Sequence, residues 1–61
     1  MKIGYILKDC SAPNVEGFEK VVTEFGSVAQ KWRDGEIINY IIEINNMQDT
    51  DEFREAAKKY R

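Results

Sequence analysis

The chain has 61 residues, 43% of them hydrophobic and 33% charged, with a formal net charge of −2. This length and mixture point to one small globular domain spanning 1–61 and exclude a disordered chain. It has no histidine and one cysteine, which excludes an internal disulfide framework, a multi-cysteine zinc site and the Ser-His or Cys-His dyads of nucleophilic catalysis. The acidic balance lacks the basic surplus with which nucleic-acid binders neutralise phosphates.

The first predicted element is a strand over "KIGYILK", Lys2 to Lys8. Its apolar run is too short for a secretory signal core, and no stretch approaches the roughly 20 apolar residues of a membrane span. The expectation is a cytoplasmic protein without a membrane partner. Along this strand Ile3, Tyr5 and Leu7 point one way, while Gly4, Ile6 and Lys8 point the other.

A helix follows over "APNVEGFEKVVTEFG". Val15, Phe18, Val22 and Phe25 recur at helical spacing, and Val21 widens the stripe. Pro13 biases Ala12 away from helix, Asn14 is placed to cap the N-terminus, and Gly26 is placed as a left-handed stop. Gly17 inside the helix costs about 1 kcal/mol against alanine, so tertiary packing has to support the element.

Two strands, "SVAQKW" and "EIINYIIEIN", flank "RDG". In the second of them Ile38, Tyr40, Ile42 and Ile44 make a uniformly apolar row, the predicted core face. The other row, Ile37, Asn39, Ile41, Glu43 and Asn45, is mixed yet holds two isoleucines. A two-residue Asp34-Gly35 turn would place Lys31 in the core and Trp32 on the mixed face. A three-residue Arg33-Asp34-Gly35 loop pairs Trp32 with Glu36 and Val28 with Tyr40, which buries both apolar residues and frees Lys31. Burying an unpaired lysine costs several kcal/mol, more than separates the turn types, so the three-residue loop is expected.

The last element is a helix in "DTDEFREAAKKYR". Phe53, Ala56, Ala57 and Tyr60 form its apolar face, Asp49 and Glu52 resemble a capping box, and Glu55 and Lys59 stand at i,i+4.

The order β-α-β-β-α gives an α+β class. The chain is expected to form a three-stranded sheet in the order 1-3-2 with both helices on one face, and a right-handed crossover permits the first and third strands to lie parallel. This element order resembles a ferredoxin-like fold lacking its last strand. The resemblance implies an outer edge of the first strand without its usual neighbour, a template for another strand. It covers the whole chain, rests on element order alone and implies nothing about function.

The open face should then show Ile6, Ile37 and Ile41 among Gly4, Ala29, Lys31, Asn39 and Glu43. Antiparallel sheets do tolerate scattered exposed isoleucines. A chain this small gains most from further burial, however, which favours a contact surface for a second copy or another protein. The expected partner-binding residues are Ile6, Ile37, Asn39 and Ile41, with Lys31 and Glu43 at the margin.

No catalytic, cofactor or metal set is expected. Cys10-Ser11 lies near a helix N-terminus, which can lower a thiol pKa, but it has no histidine or second cysteine to work with. "DTDE" lacks the calcium-loop pattern and reads as helix capping. The leading expectation is therefore a non-enzymatic interaction module, with a protein partner or, as a homodimer, a second copy of itself: a small regulator or stoichiometric inhibitor, of the size and composition of phage or mobile-element proteins that block host machinery. Two alternatives stand beside it. One is nucleic-acid binding through Lys31, Arg33 and the basic tail. The other is a dimeric domain binding a small ligand.

Overall fold

A computed structural model describes residues 1–61. Strand β1 (Lys2–Leu7) leads to helix α1 (Ala12–Phe25). Strands β2 (Gly26–Asp34) and β3 (Ile37–Ile44) form a hairpin, a 3-10 turn spans Met47–Asp49, and helix α2 (Thr50–Ala57) follows. The sheet has the order β1-β3-β2, as expected.

Strand direction differs from the expectation. β3 is antiparallel to β1 as well as to β2. β1 and β2, joined by the α1 crossover, are therefore the parallel pair, and the hairpin return places β3 between them. The antiparallel arrangement lets the whole sheet exchange perpendicular hydrogen bonds.

The alternation read along β3 holds. Ile38, Tyr40, Ile42 and Ile44 are all buried, whereas Ile37, Asn39, Ile41 and Glu43 are only half-buried. The buried row joins Ile3 and Leu7 of β1, Phe18 and Val22 of α1, and Phe53 and Ala57 of α2 in one core. Both helices thus cover the same face. Aromatic rings hold the layers together: Tyr5 stacks on Phe18 at 4.7 Å, Phe18 meets Tyr40 at 4.8 Å, and Phe25 meets Phe53 edge-on at 5.8 Å. The Tyr5 hydroxyl donates to the carbonyls of Ala57 and Tyr60, at 2.9 and 3.1 Å, and so ties the end of α2 to the sheet.

The hairpin register departs from the sequence reading. The loop is two residues long, Gly35-Glu36, so Asp34 pairs with Ile37, Trp32 with Asn39, and Lys31 with Tyr40. Gly35 has φ +64° and Glu36, the second turn residue, does not have positive φ, the combination of a type II′ turn. Trp32 consequently faces away from the helices, and Lys31 lies on the helix side. The lysine penalty does not arise because β2 is an edge strand exposed along nearly its whole length. Lys31 stays 44% exposed and its ammonium meets Glu19 of α1 at 2.6 Å. A bulge between Val28 and Gln30 then shifts the register by one, so Val28 pairs with Ile42 on the helix side, where it remains exposed.

Helix ends also differ in detail. Ser11, not Asn14, is the N-cap residue of α1, and Pro13 sits in the first turn, where its missing N–H has no cost. Asn14 instead donates from its side chain to the carbonyls of Asp9 and Arg61, both at 2.7 Å. Gly26 is extended rather than left-handed, and α1 runs directly into β2. Glycine is required there by space: a Cβ would collide with the Glu43 carbonyl. Gly17 admits the Tyr60 ring, which a Cβ would also overlap. At α2 the Asp49 side chain makes no cap bond. Asn46 accepts from the Gln48 N–H at 3.1 Å, because the 3-10 turn moves the entry three residues upstream. Glu55 pairs with Lys58 at i,i+3 (2.8 Å) instead of with Lys59.

Candidate interaction surface

Residues paired across antiparallel strands share a face. The register therefore lays out the uncovered side of the sheet in rows across β1, β3 and β2. Lys2, Glu43 and Ser27 form one row; Gly4, Ile41 and Gln30 the next; Ile6, Asn39 and Trp32 the third. Ile37 and Asp34 close the surface at the hairpin end. Ile6, Ile37, Asn39, Ile41 and Glu43 thus lie together on this face. Lys31 is displaced from its margin to the opposite side.

Trp32 is the member that sequence reasoning placed elsewhere. It is 46% exposed, and Ile6 is 51% exposed. The missed signal was Gly35 as the first, not the last, residue of a two-residue turn, a position that glycine favours in type II′ geometry.

Gly4 has no side chain, and between Ile6, Asn39, Ile41 and Trp32 the face is hollowed to a volume of about 400 Å³. Nothing nearer than the Tyr40 carbonyl, at 4.0 Å, would meet a Cβ on Gly4. The hollow is therefore open space above the strand, not a site of close backbone contact.

Charge is confined to the margins. Lys2 and Glu43 are cross-strand partners, and Glu43 lies 3.1 Å from the Met1 ammonium. Asp34 stands at the far end. The other cations of the hairpin are engaged elsewhere: Lys31 with Glu19, and Arg33, whose Nε donates to the Gly35 carbonyl at 3.2 Å. In the tail Lys58 pairs with Glu55, and Lys59 lies over the Tyr60 ring at 5.3 Å.

On the helix side Lys31, Glu19 and Tyr40 form a small polar cluster. The Tyr40 hydroxyl donates to Glu19 Oε2 at 2.6 Å. The Lys31 hydrogen bond, and then that of Tyr40, hold the Glu19 carboxyl below the usual glutamate range. Burial, reinforced by the neighbouring carboxylate, pushes the Tyr40 phenol well above its ordinary value.

The loop between β1 and α1 is satisfied internally. The Asp9 carboxylate accepts the Ser11 N–H at 2.9 Å, which lowers the Asp9 pKa. Cys10 is half-buried, and its thiol donates to the Glu36 carbonyl at 3.1 Å, linking this loop to the hairpin turn. No group of three histidine, cysteine or carboxylate side chains is placed to hold a metal ion, and no helix is long and apolar enough to cross a membrane.

These features define a small α+β protein with a helix-covered face and an uncovered one. No protein-family model, curated protein or solved structure matches the chain.

Proposed function

We propose that this chain is a non-enzymatic protein-interaction module, a regulator or stoichiometric inhibitor, that works by docking its open sheet face onto protein. The observation that carries the reading is the exposed Trp32 beside Ile6 and Ile41 around a hollow on a face that no helix covers. Tryptophan is among the residues most enriched at the energetic centres of protein interfaces, because it buries much area at little entropy cost. The polar margin of Lys2, Glu43 and Asp34 around an uncharged centre matches the rim-and-core pattern of such surfaces.

Capture experiments on lysate from cells that express the protein test this. Wild type, Ile41→Lys and Val28→Lys are compared, each checked for native circular dichroism. Val28 is exposed on the helix side and serves as the control. Proteins held by wild type and Val28→Lys but lost with Ile41→Lys support the reading. An unchanged set with Ile41→Lys defeats it.

The exposed tryptophan also gives the nucleic-acid alternative a feature it lacked in sequence, since an outward aromatic can stack on an unpaired base. Lys31 and Arg33 lie on the other side of the sheet and Lys58 is paired with Glu55, which leaves Lys2 at the margin as the cation of this face. Quenching of Trp32 fluorescence by short single strands at low salt, reversed by added salt, would replace the protein-binding reading with this one.

A further inference from the structure

We infer that the residues after α2, Lys58 to Arg61, form a latch that opens separately from the core. The Tyr60 ring on Gly17 is its catch, and the β1–α1 loop, Lys8 to Ser11, is the segment it holds. This device belongs to the helix side of the molecule and is independent of what docks on the open face.

The latch is closed by three bonds between residues far apart in the chain. The Tyr5 hydroxyl donates to the Tyr60 carbonyl at 3.1 Å. The Asp9 N–H and the Asn14 side chain each donate to the Arg61 carbonyl at 2.7 Å. Asn14 directs its other amide hydrogen to the Asp9 carbonyl, so one side-chain amide joins the tail to the loop. Asp9 is thus gripped twice, at its N–H by the tail and at its carbonyl by Asn14.

The catch is a glycine inside a helix. Alanine suits the middle of α1 better than glycine does. A Cβ on Gly17, however, would overlap the Tyr60 ring at Cε1, Cζ and the hydroxyl. Gly17 therefore weakens the helix at the one point where the tail's ring is seated. Given a Cβ there, the ring has to swing away. It is free to do so, because it ends a side chain on a segment whose other residues, Lys58, Lys59 and Arg61, are exposed.

Separate opening follows from what each part buries. Phe53 and Ala57 are fully buried and hold α2 against the sheet, and the Ala57 carbonyl has its own bond from Tyr5 at 2.9 Å. Tyr60 is only half-buried, and the bonds to Arg61 lie at the surface. Segments with little buried apolar area and solvent-exposed backbone bonds open at a lower free energy than the whole fold. The open latch leaves the loop tethered by Asn14 and by the Cys10 thiol, which donates to the Glu36 carbonyl at 3.1 Å.

The Asp9 amide reports on the latch directly, since it is bonded to the Arg61 carbonyl. Its hydrogen exchange is measured by NMR alongside the amides of β3, together with the alkylation rate of Cys10, the only thiol in the chain, and the urea midpoint. In wild type Asp9 should exchange at least about tenfold faster than the β3 amides. Gly17→Ala should speed Asp9 exchange by about a further tenfold and Cys10 alkylation with it. The β3 amides and the urea midpoint should stay level, because the better helix former offsets the lost tail contact. Tyr60→Ala should speed Asp9 exchange to the same degree, and the double variant should go no further than either single one, the mark of two residues that share one contact.

Asp9 and β3 amides that exchange together in wild type overturn the inference, since the tail would then open only with the core. So does Gly17→Ala if Asp9 exchange is unchanged, or if Asp9 and the β3 amides speed up by the same factor as the midpoint falls. Should Gly17→Ala fail to fold, Tyr60→Ala decides: unchanged Asp9 exchange in that variant removes the catch.

Discussion

Gly26→Ala is the substitution that most directly tests the junction of α1 with β2. The chain passes from helix to strand there with no intervening loop. Gly26 is extended, at φ 173°, so alanine meets no backbone strain of its own. It does meet matter, because its Cβ would occupy the space of the Glu43 carbonyl. That oxygen belongs to the central strand and cannot swing aside as a side chain can. The first pair of the β2–β3 ladder, Gly26 with Ile44, must open instead. The adjacent bond from the Asn45 N–H to the Phe25 carbonyl, 3.0 Å long, lies at the same point and is strained with it. Overpacking of this kind costs about 1–3 kcal/mol, and a weakened ladder bond adds about 1 kcal/mol. The expected loss is thus about 2–4 kcal/mol. A 61-residue chain has a total stability of only about 3–9 kcal/mol, so the variant should lose a large share of it and unfold at a markedly lower urea concentration. Urea denaturation followed by circular dichroism measures the change, with Gly4→Ala as the paired control. Gly4 has space above it and no positive φ, so alanine there should be neutral or stabilise by up to about 1 kcal/mol. Equal midpoints for Gly26→Ala and wild type would refute the proposed contact and, with it, the pairing of β2 to β3 at its first residue.

Tyr5→Phe removes the donor that holds the Ala57 and Tyr60 carbonyls; the expected loss is about 1–2 kcal/mol, with faster amide exchange confined mainly to the end of α2. Gly35→Ala places a Cβ at φ +64° and should cost about 1–2 kcal/mol, whereas d-alanine at the same position in a synthetic chain should restore stability. The carboxyl of Glu19 titrates lower in the folded chain than in the unfolded one. The stability it contributes is therefore present above the ordinary glutamate pKa of about 4.3 and is lost as the pH falls through the folded value. Urea midpoints should drop on acidification below about pH 5, and less steeply in Glu19→Gln. Because Glu19 and Lys31 are each more than a third exposed, the difference should shrink in high salt.

Much of the candidate surface could be read from alternation alone. Ile38, Tyr40, Ile42 and Ile44 are apolar without exception, so only one face of β3 could enter the core, and Ile37, Asn39, Ile41 and Glu43 had to lie opposite. Ile6 alternates with Tyr5 and Leu7 and lies on the open face in the same way. The helical stripes of Val15, Phe18, Val22 and Phe25 and of Phe53, Ala56, Ala57 and Tyr60 were equally plain, because their mixed spacings of three and four cannot share one face of a strand.

Where Trp32 and Lys31 point was not decided locally. By alternation alone Lys31 would bear the cost of burial, yet the fold sets it on an exposed edge strand beside Glu19, twelve residues earlier in the chain. Whether a helix-side position on β2 is dry depends on how far α1 and α2 reach across the sheet, and no window of sequence contains that distance. The bulge after Val28 compounds the difficulty, since one extra residue reverses the facing of every residue on one side of it. The direction of β3 relative to β1 was likewise a tertiary choice, made when the hairpin return slotted its second strand between the two ends of the α1 crossover. Sequence periodicity determined which rows of side chains are apolar. Tertiary packing determined which of the remaining rows met water, because that depends on the lateral reach of layers and on contacts between residues distant in the chain.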